Sequence, residues 1–116
     1  MGNFKNLRVW QESINLAESI YINSRRNQFS KDWGLRDQIQ RATVSIASNI
    51  AEGEERLSPK ENIYFLNVAK GSAAEVITQL HIANRIGYIN QTDHLRLEDQ
   101  TEKNRASIKN LIKSKK

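Results

Sequence analysis

The chain has 116 residues, a formal net charge of +5, no cysteine and a mean hydropathy of −0.67. That length suits one core, so a single domain over residues 1–116 is expected, and the lack of cysteine excludes a disulfide framework and thiolate metal sites. The N-terminal Met-Gly-Asn-Phe-Lys-Asn-Leu-Arg has no uninterrupted apolar run, and no stretch approaches the roughly 20 apolar residues that span a bilayer, so a cytoplasmic protein without a membrane partner is the expectation.

The first periodic segment places Leu7, Trp10, Ile14, Ala17 and Tyr21 at three- and four-residue steps, which predicts an amphipathic helix over residues 6–26. Arg25-Arg26-Asn27-Gln28 ends the pattern, with cations in the last turn where carbonyls lack partners. Phe29 to Lys31 reads as a short connection, and Trp10 as a core residue.

A second helix should start near Lys31 or Asp32 and end at Gly53, a residue suited to the left-handed conformation just past a helix end. On it Leu35, Ile39, Ala42, Ile46 and Ile50 form one apolar stripe, and Val44, Ala47 and Ala51 form a small-residue stripe well round the cylinder. Between them runs a polar seam of Gln38, Arg41, Ser45, Ser48, Asn49 and Glu52. Two sides therefore want burial, which predicts a helix sandwiched between its own core and a partner chain.

Ser58-Pro59-Lys60-Glu61 supplies three agreeing start signals for a third helix: a hydroxyl N-cap, proline at the first helical position and a glutamate placed for a capping box. Phe65, Leu66, Ala69, Ala73, Val76, Ile77, Leu80 and Ala83 then hold one face as far as Gly87, a helix about 43 Å long at 1.5 Å per residue. Gly71 costs about 1 kcal/mol against alanine in such an interior. Close backbone approach would offset that, with Ala69, Gly71, Ser72, Ala73 and Ala74 facing Ala42, Ser45, Ala47 and Ser48 or a neighbouring subunit. If the second and third helices are antiparallel, Arg41 lies within about one turn of Glu75. The two are expected to pair at a partly buried position, with Gln38, Asn49, Ser72 and Gln79 satisfying the remaining polar groups.

Gly87 to Gln91 reads as a connection, and Thr92 with Asp93 as the cap of a fourth helix running toward Lys113. Its apolar face is thin, with Leu97, Ile108, Leu111 and Ile112 separated by Thr101, Asn104 and Arg105, so its basic end is expected to fray. Short connections make sequential helices antiparallel neighbours, and the predicted fold is an all-α, up-down-up-down four-helix bundle.

Residues 103–116 carry Lys103, Arg105, Lys109, Lys113, Lys115 and Lys116 with no acidic residue. Two readings stand: favourable charge at a helix C-terminus together with solubility, or phosphate contact by a cationic tail. With Arg25 and Arg26, these are the candidate nucleic-acid residues.

Catalytic chemistry is not evident. His81 and His94 stand isolated in the sequence, and His94 with Glu98 on one helix face makes only two ligands, too few for a metal site. Ser45, Ser48 and Ser72 have no histidine within a helical turn to act as base, and no phosphate-cradling or dinucleotide fingerprint occurs. No enzymatic activity and no cofactor are expected. Trp33 and Tyr64 fall near helix starts away from the densest apolar stripes and read as subunit contacts.

Leu7-Arg8-Val9-Trp10-Gln11, Leu35 with Gln38-Ile39-Gln40-Arg41-Ala42, Ser45-Ile46-Ala47-Ser48-Asn49-Ile50-Ala51-Glu52-Gly53, Phe65-Leu66, Ala69-Lys70-Gly71-Ser72, Glu75, Gln79-Leu80 and Gly87-Tyr88 together resemble a known family. It is the family of four-helix bundle proteins encoded in intervening sequences of bacterial 23S ribosomal RNA genes, and the similarity spans roughly residues 4–112. The chain departs from that pattern at Phe29-Ser30-Lys31-Asp32-Trp33-Gly34, where the family commonly has a proline and a glutamate. The resemblance implies a bundle that assembles into a homopentameric ring, related to the accessory protein of diversity-generating retroelements, which binds its reverse transcriptase and nucleic acid. The functional expectation is a non-enzymatic ring that binds RNA or another nucleic acid through basic surfaces. The alternative is an adaptor that docks a polymerase or other enzyme without touching nucleic acid.

Overall fold

The structure is a computed structural model that describes residues 3–116. Met1 and Gly2, part of the N-terminal segment read above as lacking an apolar run, lie outside the described residues. After a 3₁₀ turn at Phe4–Asn6 come α1 (Arg8–Ser24), α2 (Asn27–Lys31), α3 (Trp33–Glu54), α4 (Pro59–Arg85) and α5 (Gln91–Lys115), with no strand among the described residues. The four long helices form an antiparallel bundle 44 Å long and about 20 Å across. No helix among the described residues is long and apolar enough to cross a membrane.

Helix ends follow from local chemistry. The Asp32 carboxylate accepts the Leu35 N–H at 3.0 Å and caps α3, Ser58 Oγ accepts the Glu61 N–H at 3.3 Å to cap α4, and Pro59 stands at its start. The cap of α5 is Asn90, whose Oδ1 accepts from Asp93 N at 2.7 Å, so the helix begins just ahead of the Thr92 and Asp93 expected to cap it. At the end of α4 the backbone N–H of Tyr88 reaches Ala83 O at 2.8 Å and that of Gly87 reaches Asn84 O at 3.1 Å. This double closure needs a left-handed residue, and Gly87 has φ +85°.

Gly53 does not play the role expected of it. It lies inside α3, is buried, and a Cβ there would stand 3.1 Å from the backbone oxygen of Asn62 and 3.2 Å from Phe65 Cβ. Its missing side chain lets α4 approach α3. Gly71 is the reverse case: it is exposed and a Cβ would meet nothing within 4 Å among the described residues, so no backbone among them approaches it.

Leu16, Ile20, Ile39, Ile46, Ile50, Leu66, Val76, Leu80, Leu97 and Ile108 fill the centre. On α1 the core face is Val9, Ser13, Leu16 and Ile20, whereas Ile14 is 42% exposed. The stripe of Leu7, Trp10, Ile14, Ala17 and Tyr21 is a flank, because Ser13 interrupts the true core face and hides it from an apolar count. Ser13 is tolerated since its hydroxyl donates to Trp10 O at 2.6 Å. Thr101 Oγ1 to Leu97 O at 2.7 Å and Asn104 Nδ2 to Val9 O at 3.2 Å do the same on α5. The thin apolar face of α5 is thus completed by bonded polar groups, and the helix stays regular to Lys115.

Residues 29–31, read as a connection, belong to α2, and Phe29 is 1% exposed and stacked on Tyr88 at 5.5 Å. This short helix plugs the end of the bundle where α4 turns into α5. Trp10 is only partly buried, edge-on to Phe4 at 5.4 Å.

Candidate functional site

The second stripe of α3 is partly covered within the chain. Val44, Ala47, Ser48 and Ala51 line a groove of about 270 Å³ whose other wall is Phe4, Trp10, Ile14 and Ala17. Ala47 is 7% exposed, while Val44 remains 43% exposed. Within one chain α1 and the 3₁₀ turn wall this flank and bury Ala47, because the α1 side that faces it is apolar, while Val44 and Ser48 stay open to water.

The open face lies between α3 and α4. Gln38, Arg41, Ala42, Ser45, Glu75 and Gln79 line one groove of about 300 Å³, and Gln38, Glu75 and Gln79 continue into a second of about 350 Å³ floored by Gly71 and Ala74. Within this seam Ser45 Oγ and Ser72 Oγ share a hydrogen bond at 2.9 Å, and Asn49 Nδ2 donates to Ser45 O at 2.8 Å and Ser45 Oγ at 3.0 Å. The Ser45–Ser72 bond ties α3 to α4 without any charge, and the Asn49 bonds, within α3, hold Ser45 in place for it.

Arg41 and Glu75 do share this groove, yet they are exposed and form no ion pair among the described residues. The expected partly buried pair is not present. Each is solvated on its own, so nothing within one chain forces the two to meet. Gln79 is buried and its Oε1 lacks a hydrogen-bond partner. Glu52 turns away from the seam, to Arg56 at 3.0 Å.

The outer surface of α4 carries a further signal that periodicity alone did not separate from the core face. At 100° per residue Tyr64, Val68, Gly71, Glu75, Ile82 and Ile86 fall on one stripe beside this groove. Tyr64 is 63%, Ile82 45% and Ile86 53% exposed. Trp33, on α3, is 71% exposed.

The candidate cations are spread along the bundle. Arg25 and Arg26 sit at the α2 end of the bundle, and Lys113, Lys115 and Lys116 at the opposite end, so the eight do not form one patch. Lys103 pairs with Asp99 at 3.0 Å, and Lys115 Nζ lies 3.2 Å from Glu54 Oε2, which also accepts from Asn62 Nδ2 at 3.1 Å. The Glu54 side chain is 10% exposed, so Lys115 neutralises a nearly buried carboxylate where α3, α4 and α5 converge. Arg105, Lys109, Lys113 and Lys116 share about 80° of α5's circumference and form a cationic stripe. Within it Arg105 is tied to Glu102 at 3.4 Å, while Lys109, Lys113 and Lys116 have no acidic partner among the described residues. Lys70 was not among the sequence candidates. The contact of His81 with Glu98 marks the register of α4 against α5, and eleven residues along each helix bring Lys70 level with Lys109, on the flank His81 occupies.

That same contact overturns the isolation of the histidines. His81 Nε2 lies 2.7 Å and His94 Nε2 3.1 Å from Glu98 Oε1, and the two rings are 4.6 Å apart. His81 comes from α4, so only the pairing of two helices reveals the cluster.

The model of the 23S rRNA-intervening sequence protein family matches residues 5–110. A crystal structure of a protein of unknown function from the S23 ribosomal protein family of Bacteroides thetaiotaomicron is similar at a TM-score of 0.84 and 27% identity, over 90% of this chain and 98% of that one. No curated protein matches the chain significantly. With nearly its whole length matched by the family's model and its helices superimposing on that relative, the chain belongs to the 23S rRNA-intervening sequence protein family.

Proposed function

We propose that the chain assembles with copies of itself through the outer face of α3 and α4, as a ring of five, and that the ring presents the α5 cations to structured RNA. The observation that carries the assembly is the α4 stripe of Tyr64, Val68, Gly71, Ile82 and Ile86, apolar or small and open to water in the single chain. Such a stripe suits close packing of another helix. Arg41 on the α3 side of this face and Glu75 on its α4 side have no ion-pair partner among the described residues, so the α3 side of one copy can meet the α4 side of the next in the head-to-tail contact that a closed ring requires, which favours a further copy as the occupant.

RNA binding rests on the exposed Lys109, Lys113 and Lys116, with Lys70 beside them, and on the family's link to 23S rRNA intervening sequences. Cations on a regular helix contact phosphates with little sequence preference. Five linked copies raise a weak contact to a useful affinity when they engage together. In this reading the chain acts by binding and needs no catalytic group. The test is binding of 23S rRNA fragments across a series of salt concentrations, comparing the wild type with a Lys109→Gln, Lys113→Gln, Lys116→Gln variant. Weaker binding and a shallower salt dependence in the variant support the reading, and equal affinity removes it.

A further inference from the structure

His81, His94 and Glu98 point to a second kind of site. One nitrogen from each imidazole and one carboxylate oxygen lie within 4.8 Å of one another. The ligands come from two elements, the end of α4 and the first two turns of α5, joined across the tight turn at Gly87. His94 is fixed in place, its side chain only 7% exposed, while those of His81 and Glu98 are 53% and 29% exposed, so the cluster is anchored on its inner side and open on its outer side.

The polar bookkeeping around His94 is incomplete. Its Nε2 is 3.1 Å from Glu98 Oε1, but neither of its ring nitrogens has a hydrogen-bond partner, although both are buried. His81 Nε2 already crowds the same oxygen at 2.7 Å. A buried imidazole aimed at a shared carboxylate without a hydrogen bond is an unfavourable arrangement for the protein alone. A cation among the three groups gives Nε2 of His94 its partner, because one lone pair from each imidazole and one from the carboxylate then converge on positive charge.

We infer that His81, His94 and Glu98 bind a divalent transition-metal ion of the Zn²⁺ type, with water in the outward position. Two imidazoles and a carboxylate suit Zn²⁺, Co²⁺ or Ni²⁺ and not Ca²⁺ or Mg²⁺, which take oxygen ligands. Ligand distances near 2.0–2.2 Å require Glu98 and His81 to draw slightly apart, and the His81 side chain, 53% exposed, can swing outward to allow it. The bound ion ties α4 to α5 beside the turn and stabilises the folded chain by mass action. The site lies on the α4/α5 flank, away from the α3/α4 groove, so its test is independent of the assembly.

The experiment uses full-length protein without a polyhistidine tag, stripped with chelator and titrated with ZnCl₂ by calorimetry and with CoCl₂ by visible absorption. The wild type should bind one Zn²⁺ per chain with a rise in Tm, and Co²⁺ should show d–d bands of a nitrogen-containing site. His81→Ala changes an exposed side chain and Glu98→Gln keeps the shape of a half-buried one, so both leave the fold intact by circular dichroism. Each should weaken Zn²⁺ binding at least about tenfold and remove the Co²⁺ bands, in keeping with the roughly 10–100-fold losses that follow even from changes behind the ligands. Absence of saturable Zn²⁺ binding by the wild type, or less than a tenfold change in either variant, overturns the inference.

Discussion

The phenol of Tyr88 donates to Oδ2 of Asp32 at 2.9 Å, while Oδ1 of the same carboxylate accepts the N–H of Leu35 at 3.0 Å. One side chain thus caps α3 and fastens it to the α4–α5 turn. The Leu35 N–H first, and the Tyr88 O–H second, hold the Asp32 carboxyl below its ordinary value of 3.8. The hydrogen bond to Asp32, then burial, then the charge of Asp32 raise the Tyr88 phenol above its ordinary 10.0.

The signs of these shifts define a pH window. A carboxyl lowered in the folded state contributes stability above 3.8 that is lost as pH falls through its folded pKa, and a phenol raised in the folded state contributes stability below 10.0 that is lost as pH rises through its own. Asp32→Ala should therefore lower Tm at neutral pH, with the difference from wild type closing as pH falls through the folded pKa of Asp32 and only narrowing on the alkaline side, where the Leu35 cap persists after the phenol ionises. Tyr88→Phe should lower it less, with the difference closing on the alkaline side as the wild-type phenol ionises. Thermal unfolding followed by circular dichroism across pH checks both, and a pH-independent difference counts against the pair.

Gly53 and Gly71 should respond oppositely to alanine. Gly53→Ala sets a methyl 3.1 Å from a backbone oxygen that cannot swing away, and destabilisation of about 1–3 kcal/mol is expected from overpacking. Gly71→Ala meets nothing within the chain, so in the separated subunit it should gain up to about 1 kcal/mol of helix propensity. If another helix packs on this face, the same methyl weakens assembly. Urea unfolding measured at several protein concentrations separates the two effects.

Lys115 should divide from its neighbours. Lys115→Met leaves Glu54 nearly buried without its cation, so stability falls by about 1–3 kcal/mol, while RNA affinity changes little. Substituting Lys109, Lys113 or Lys116 by glutamine should leave Tm unchanged and reduce the salt slope of RNA binding by roughly one for each phosphate no longer neutralised. Retained capture of a protein partner by a triple variant that no longer binds RNA would favour the adaptor reading.

Charge exchange probes the groove. Arg41→Glu and Glu75→Arg place like charges on the facing copies and should each dissociate the assembly, and the double exchange should restore it. Because neither residue is ion-paired among the described residues, the stability of the monomer to urea should move by less than about 1 kcal/mol.

Much of the bundle was legible because its helix ends carry local chemistry: Ser58, Pro59 and Gly87 act within one turn of themselves. What depends on a neighbouring element was not. Gly53 reads as a helix end until α4 is laid against it, and Ser13 conceals the core face of α1 because its hydroxyl is satisfied by its own helix. The basic residues were visible as a set, but pairing with Glu54 removes Lys115 from the surface role, and Lys70 joins only through the register of α4 on α5. The histidine cluster is the extreme case, since His81 and His94 lie on different helices and only the helix reversal brings their rings together.

The direct test of the central claim is the mass of the wild-type chain in dilute solution by light scattering, beside a Gly71→Arg variant that blocks the outer face of α4. The wild type should give about five times the 13.4 kDa of one chain, and the variant a folded monomer. A wild-type mass of 13.4 kDa throughout the accessible concentration range, or a variant that assembles as the wild type does, would contradict it.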